Sequence, residues 1–466
     1  MIESLQNIFR IPDLRRRVFY TLGLLAVYRI GGHIYVPGVN SHALMEWFRS
    51  QGGSVFGMFD LFAGGNFSRF TIFALGIMPY VSASIILQLA TVIFPYLEKL
   101  SKEGEVGRKK ITQWTRYGTI ILSVLQAFGI ALWLQKAVSP NAAVPIAPDG
   151  WGFRLMTVIT LTTGTAFIMW LGEQISERGI GNGISLLIFA GIIVGLPRAV
   201  AGIWDQVSTQ QLSPIALIVL GALMVGVIAG VVLVERAQRK IPIQYARRVV
   251  GRRVYGGSTT YLPLRVNTAG VIPVIFASSI LAIPQSLLML ESLQQYRPIQ
   301  VLHQQIQYSM PYYNLLYLVL IIFFCFFYTS IIFNPMDTAD NMKKYGGFIP
   351  GIRPGKQTSL YIDKILTRIT FGGAIYLGLI SILPVFLISG LRLHLIWPPA
   401  LGDFFDRVLV LDFLKNGLNV PFYFGGTSLL IVVGVAMDTV QQIESQLIMR
   451  HYDGFLKGTR MRGRRG

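Results

Sequence analysis

The sequence predicts an all-α polytopic membrane protein of ten transmembrane helices, and three observations carry that expectation. Hydrophobic residues make up 53% of the 466-residue chain and charged residues only 14%, against roughly 25% charged in soluble domains. Apolar runs of spanning length begin near Val18, Phe70, Tyr117, Leu155, Ile184, Ser213, Ala269, Tyr312, Ile369 and Gly425, each long enough for the ~20 residues that cross a bilayer. None shows the alternation of a barrel strand. Lipid offers the backbone no water, so helices remain.

The first run follows "IPDLRRRVFY", and no small-residue cleavage site precedes "YVPGVN", so it reads as a retained helix and not a signal peptide. Next comes "SVFGMFDLFAGGNFSRF", Ser54 to Phe70. Its core from Val55 to Ala63 is apolar apart from Asp60 and far too short to span. Such a segment either lies on a surface or fills an opening, and Gly64 and Gly65 let it be set at an angle to the helix that follows. The second and fifth runs carry branched aliphatics four residues apart, Ile77 with Val81 and Ile184 with Ile188, each pair on one helix face. On spacing alone, ordinary packing or lipid contact is the strongly favoured explanation. Gln88, Gln126 and Asn267 are isolated amides on or beside the second, third and seventh runs. Amides of this kind bond across helix seams for about a kcal/mol each.

The loop from Arg198 to Leu212 is the natural boundary between two five-helix halves, although no sequence repeat links them. An inverted repeat needs none. Beyond it, "ERAQRKIPIQYARRVVGRRVYGGSTTYLPLRVN", Glu235 to Asn267, reads as a protruding basic hairpin. A second basic loop, residues 334–368, behaves similarly. Two basic projections on one face suit a large anionic partner, ribosomal RNA or an acidic protein surface, with Arg252, Arg253 and Arg353 at the exposed turns. Within the second loop "GIRPGKQ" misses the phosphate-loop spacing, and Gln357 stands where a magnesium-binding hydroxyl belongs.

Net charge is +19. With alternate loops on opposite sides, about three-quarters of the Lys and Arg fall on the side of the termini, which places both termini in the cytoplasm. The weak point is the loop holding Arg178 beside Glu173 and Glu177. The single cysteine, Cys325, lies mid-span and reads as packing. Five scattered histidines and the absence of HExxH or GxSxG give no catalytic or metal centre. The expectation is a protein that is not an enzyme and holds no cofactor. The outer segment 390–424 and the basic tail "KGTRMRGRRG" receive no assigned role, beyond an amphipathic stretch in the former that suits the outer membrane surface.

Several motifs in one order then carry a resemblance: "FALGIMPYVSASIILQL", "GEQISERGIGNGISLLIFAGI", "GRRVYGG", "AGVIPVIFASSI", "GGFIPGIRPG" and "FGGTSLLIVV". The chain resembles the SecY family, channel-forming subunits of the bacterial Sec translocase. The resemblance implies two pseudo-symmetric halves, residues 1–204 and 205–466, around an hourglass pore in the inner membrane. It implies a pore ring of Ile77, Val81, Ile184, Ile188, Ile275 and Ile431, with Val81 where other members often have Ile. Residues 54–68 become a plug, with Phe56, Gly57, Met58, Phe59, Asp60, Leu61, Phe62, Ala63, Gly64 and Gly65 at its centre. Gln88, Gln126 and Asn267 fall at a lateral gate, and Arg252, Arg253 and Arg353 dock a motor or ribosome. The implied partners are SecE, SecG, the SecA motor, the ribosome, signal sequences, unfolded preproteins and membrane lipids. Translocation of unfolded proteins and lateral release of apolar segments follow. The competing class, a secondary transporter of a small solute, calls for midplane charges and a polar site that the runs lack.

Overall fold

The computed structural model describes residues 11–50, 60, 63–136, 146–209, 214–245, 248–250, 253–255, 259–288, 305, 310–390 and 426–458. Two compact units divide the chain, residues 1–200 with 435–466, and residues 201–434.

In the first unit, α1 (Pro12–Gly31) begins on a proline, with Asp13 in its first turn and Arg29 in its last, each charge suited to the helix dipole. A short α2 (Ser41–Ser50) follows. Helix α3 (Met78–Ile93) stops at Phe94, extended as residues before proline usually are. Pro95 then opens α4 (Pro95–Lys102), turned by 101°. Helices α5 (Glu105–Lys136) and α6 (Trp151–Arg178) pack together. Thr115, Thr119, Ser123, Ala127 and Ala131 form a buried stripe of small residues down α5, which lets helix backbones approach closely in a membrane. Arg116 Nε meets Glu173 Oε1 at 2.7 Å across this pair. The unit continues into α7 (Gly183–Ser208), which contains Pro197.

The second unit receives the end of α7 and continues with α8 (Pro214–Arg236). From there the chain leaves as a sheet and returns. Strand β1 (Gln238–Tyr245) pairs antiparallel with β4 (Thr259–Arg265), from Gln238 opposite Arg265 to Gln244 opposite Thr259. At the tip β2 (Arg248–Val250) pairs with β3 (Arg253–Tyr255). Helices α9 (Ile272–Leu288) and α10 (Pro311–Ile332) follow, with Cys325 buried in α10. Asn334 caps α11 (Pro335–Lys344) by accepting from the Met336 amide at 3.0 Å. Strand β5 (Gly347–Phe348) joins the other edge of β1, Tyr245 opposite Gly347. The two basic loops are therefore one three-stranded body over a core of Ile241, Ile243, Leu264, Met342, Ile349 and Ile362. Helix α12 (Lys356–Ser389) has 34 residues, and α13 (Gly426–Gly458) closes the described chain.

Five helices among the described residues are long and apolar enough to cross a membrane, and a sixth span results if the bent α3–α4 pair is counted. The mostly helical, multi-span character expected from composition is thus present.

Candidate functional site

The apolar stretch that is too short to span, Ser54 to Phe70, ends in a dense anchor. Of the plug residues, Phe56 to Phe59, Leu61 and Phe62 lie outside the described residues, while Asp60, Ala63, Gly64 and Gly65 are described. Gly64 and Gly65 adopt φ of +69° and +77°, a region that costs other residues about 1–2 kcal/mol. Gly64 also abuts Gly191 of α7, where a Cβ would lie 2.6 Å from the Gly191 Cα. The carbonyl of Ala63 accepts from Asn66 Nδ2 at 2.6 Å and from the Tyr28 hydroxyl at 3.4 Å. Asp60 Oδ1 accepts from the Ser68 amide at 2.8 Å. Burial pushes the Asp60 carboxyl above its usual range, against the pull of hydrogen bonds from Ser68 and Phe67 and the charge of Arg69.

Behind this anchor the chain runs through glycine notches. A side chain on Gly31 would strike the Phe73 ring, and one on Gly164 the Ile72 carbonyl. Phe70, the one non-glycine residue at positive φ among those described (50°), accepts from the Val36 amide at 3.0 Å. Backbone strain of this kind persists only where the surroundings hold it.

The ring residues divide between the units. In the first, Ile77 (4% exposed), Val81 (5%) and Ile188 (2%) are buried, and Ile184 is half-buried. Ile77 caps α3 and accepts from the Val81 amide at 3.1 Å, so the two sit one turn apart. In the second, Ile275 near the start of α9 and Ile431 near the start of α13 are buried.

The three gate amides are placed on α3, α5 and just before α9. Gln88 Nε2 donates to Ser84 Oγ at 3.3 Å, and its Oε1 is buried with no partner among the described residues. Gln126 is half-buried. Asn267 is buried and bonded inside its own unit: Nδ2 donates to Glu235 Oε1 at 2.6 Å and to the Gly270 carbonyl at 3.1 Å.

Of the docking arginines, Arg252 lies outside the described residues, Arg253 opens β3, and Arg353 is exposed between β5 and α12. Exposed Lys343, Lys344, Arg239 and Lys240 share the body that carries Arg353. No group of three or more His, Cys, Asp or Glu suited to a metal ion occurs among the described residues.

The SecY family profile matches residues 71–440. The chain is 43% identical over 458 residues to protein translocase subunit SecY of Aquifex aeolicus, covering 98% of this chain and all of that one. It is 45% identical over 452 residues to protein translocase subunit SecY of Escherichia coli K12, covering 97% and 96%. The chain belongs to the SecY family.

SecY members are protein-conducting channel subunits, and the chain is accordingly a multi-pass membrane protein of protein translocation. Nothing in these relatives supports the solute-transporter alternative. Among solved structures, a protein-conducting channel superposes with TM-score 0.57 at 17% identity, covering 93% of this chain and 92% of that one. A SecY structure described as having a plug domain that stabilizes the closed state and maintains a membrane seal superposes with TM-score 0.58 at 18% identity, with the same coverage. Sec61 from the canine ribosome-channel complex gives 0.54 at 16% identity over 93% and 92%. At these identities the likeness is one of fold.

Sequence reasoning on this SecY-family chain missed Tyr28, Asn66, Ser68 and Gly191 around Asp60, Ala63 and Gly64, and Glu235 beside Asn267. Only Asp60, the one charge in an apolar stretch, signalled that polar partners were waiting.

Proposed function

We propose that ten helices in two halves, residues 1–204 and 205–466, enclose an hourglass pore whose ring is Ile77, Val81, Ile184, Ile188, Ile275 and Ile431. The observation that carries this reading is the burial of branched aliphatics at motif positions on four separate helices, α3, α7, α9 and α13. A translocating chain presents every kind of side chain, so a lining of specific hydrogen bonds traps some sequences. Aliphatic side chains grip nothing and dewet when empty, which opposes ion leak.

Residues 54–68 act as the plug on the outer side of this ring. The anchor of Ala63, Gly64 and Asn66 supports a stopper tethered at one end, and the plug domain described for a solved neighbour supports the sealing role. Gln88, Gln126 and Asn267 form the lateral gate, through which apolar segments leave for lipid at roughly 25 cal/mol per Å² of apolar surface. Arg252, Arg253 and Arg353 dock a SecA-like motor or the ribosome. Solved neighbours in ribosome-bound complexes, canine Sec61 and the yeast Ssh1 complex, support the latter. SecE and SecG complete the assembly in the inner membrane, and both termini face the cytoplasm.

The test is reconstitution in liposomes with the small subunits, motor, ATP and an unfolded secretory precursor. Protease protection that requires both ATP and the signal sequence is the expected result. Its absence, with motor binding and orientation verified, overturns the reading. Deleting Phe56 to Gly65 should raise resting ion leak while translocation persists, and an unchanged leak removes the sealing role.

A further inference from the structure

The basic three-stranded body leaves the helices at α8 and returns at α9, and the joint at its root is held from several sides. The Val266 amide donates to the Ala237 carbonyl at 3.0 Å, one step beyond the last strand pair, Gln238 with Arg265. Asn267 is 6% exposed and spends both Nδ2 protons within the joint, on Glu235 Oε1 at 2.6 Å and the Gly270 carbonyl at 3.1 Å. Helix α12 closes on it: a Cβ on Gly373 would stand 2.6 Å from the Val266 carbonyl. Helix α13 packs on the far end of the same loop, where a Cβ on Gly434 would stand 2.6 Å from a Val271 methyl.

Glu235 lies in the last turn of α8, where a carboxylate opposes the helix dipole. A negative charge in that position needs an interaction to offset it, and the short bond to Asn267 supplies one of the stronger kinds, a charge-assisted hydrogen bond. α12 also brings the Tyr376 hydroxyl within electrostatic range of the same carboxylate.

We infer that Glu235 is a positioning residue: its clasp on Asn267 ties the end of α8 to the loop that joins the root of the basic body to α9, so that force on the body is passed on to α9. This inference rests on the proposed docking role of the basic loops. Without the clasp, residues 266–271 are a short loop with Gly270 at φ +62°, and glycine there lets the loop flex instead of transmitting.

The test uses the full chain with its small subunits in vesicles. Motor affinity and precursor translocated per ATP are measured separately for wild type, Glu235→Gln, Asn267→Asp and the double variant. Glu235→Gln keeps an acceptor for Asn267 and should translocate like wild type. Asn267→Asp sets carboxylate against carboxylate and should lower translocation per ATP about ten-fold, the scale of a charged hydrogen bond, with motor affinity unchanged. The double variant restores a donor, Gln Nε2 to Asp, and should regain most of the loss.

A double variant no better than Asn267→Asp, or Asn267→Asp with normal coupling, overturns the clasp. So does a change in motor affinity in Asn267→Asp, which would assign the bond to the docking surface itself. Should Asn267→Asp fail to accumulate, Glu235→Ala replaces it, with the same coupling loss expected and normal coupling overturning the inference. Failure of the docking reading is seen separately, as normal motor affinity when Arg353 is reversed in charge.

Discussion

Gly64 and Gly191 meet backbone to backbone, so close that a methyl group on Gly64 would stand 2.6 Å from the Gly191 Cα. The end of the segment proposed as the plug therefore rests on α7, the helix that carries Ile184 and Ile188. Gly65, one residue on, shares the positive φ but faces open space.

That difference separates conformational strain from packing. Gly65→Ala should cost only the backbone term, about 1–2 kcal/mol. Gly64→Ala adds overpacking of about 1–3 kcal/mol. Thermal unfolding of the purified complex and resting ion leak should both rank Gly64→Ala as the more damaging. Equal effects would mean that the Gly191 contact contributes nothing.

Asp60 links seating to pH. Its carboxyl is raised chiefly by burial, so a proton is held more tightly when the segment is seated than when it is released. Seating is then favoured as pH falls, fully so below the ordinary carboxylate value of about 3.9, and the contribution is lost as pH rises through the seated value. Resting ion leak should fall on acidification from neutrality. Asp60→Asn keeps an oxygen for the Ser68 amide and should abolish the pH dependence. A leak that responds to pH identically in Asp60→Asn assigns the effect to another group.

Ile188 is 2% exposed, and an unpartnered amide buried there costs about 1–3 kcal/mol. If Ile188 belongs to the proposed ring, Ile188→Asn should raise ion leak or let precursors with defective signal sequences through, because wetting a dry constriction opens it to ions. If conductance and signal discrimination both stay at wild-type values, Ile188 is ordinary packing.

Arg353 sits on an exposed turn, on the same body as Lys343 and Lys344. Arg353→Glu should weaken motor or ribosome binding by about ten-fold at low salt, and the deficit should shrink as salt screens it. Assembly with the small subunits should be unaffected. Titration of partner binding at two ionic strengths decides it.

Much of this was legible in the chain itself. Low charge and long apolar runs made it a helical membrane protein, because lipid leaves the backbone no other choice. The β1–β4 hairpin announced itself through Val, Tyr and Thr around "YGG", and the order of long motifs identified the family. The break at Gly64 and Gly65 was visible too, since glycine pairs mark positions closed to other residues.

What the residues could not disclose lay in contacts distant along the chain. That β5 of one basic loop completes the sheet of the other depends on Tyr245 meeting Gly347, about a hundred residues apart, which no local periodicity encodes. Asn267 was legible as an isolated amide beside a span, but that its amide protons go to Glu235 and the Gly270 carbonyl was not. The Ala63 carbonyl finds Tyr28, and Gly64 finds Gly191, only once α1 and α7 have packed. Composition and motif order decide the solvent and the family, because burial of apolar surface is additive along a chain. The partner of a given polar atom or glycine is decided by tertiary packing, because hydrogen bonds and close approaches depend on position to within a few tenths of an ångström.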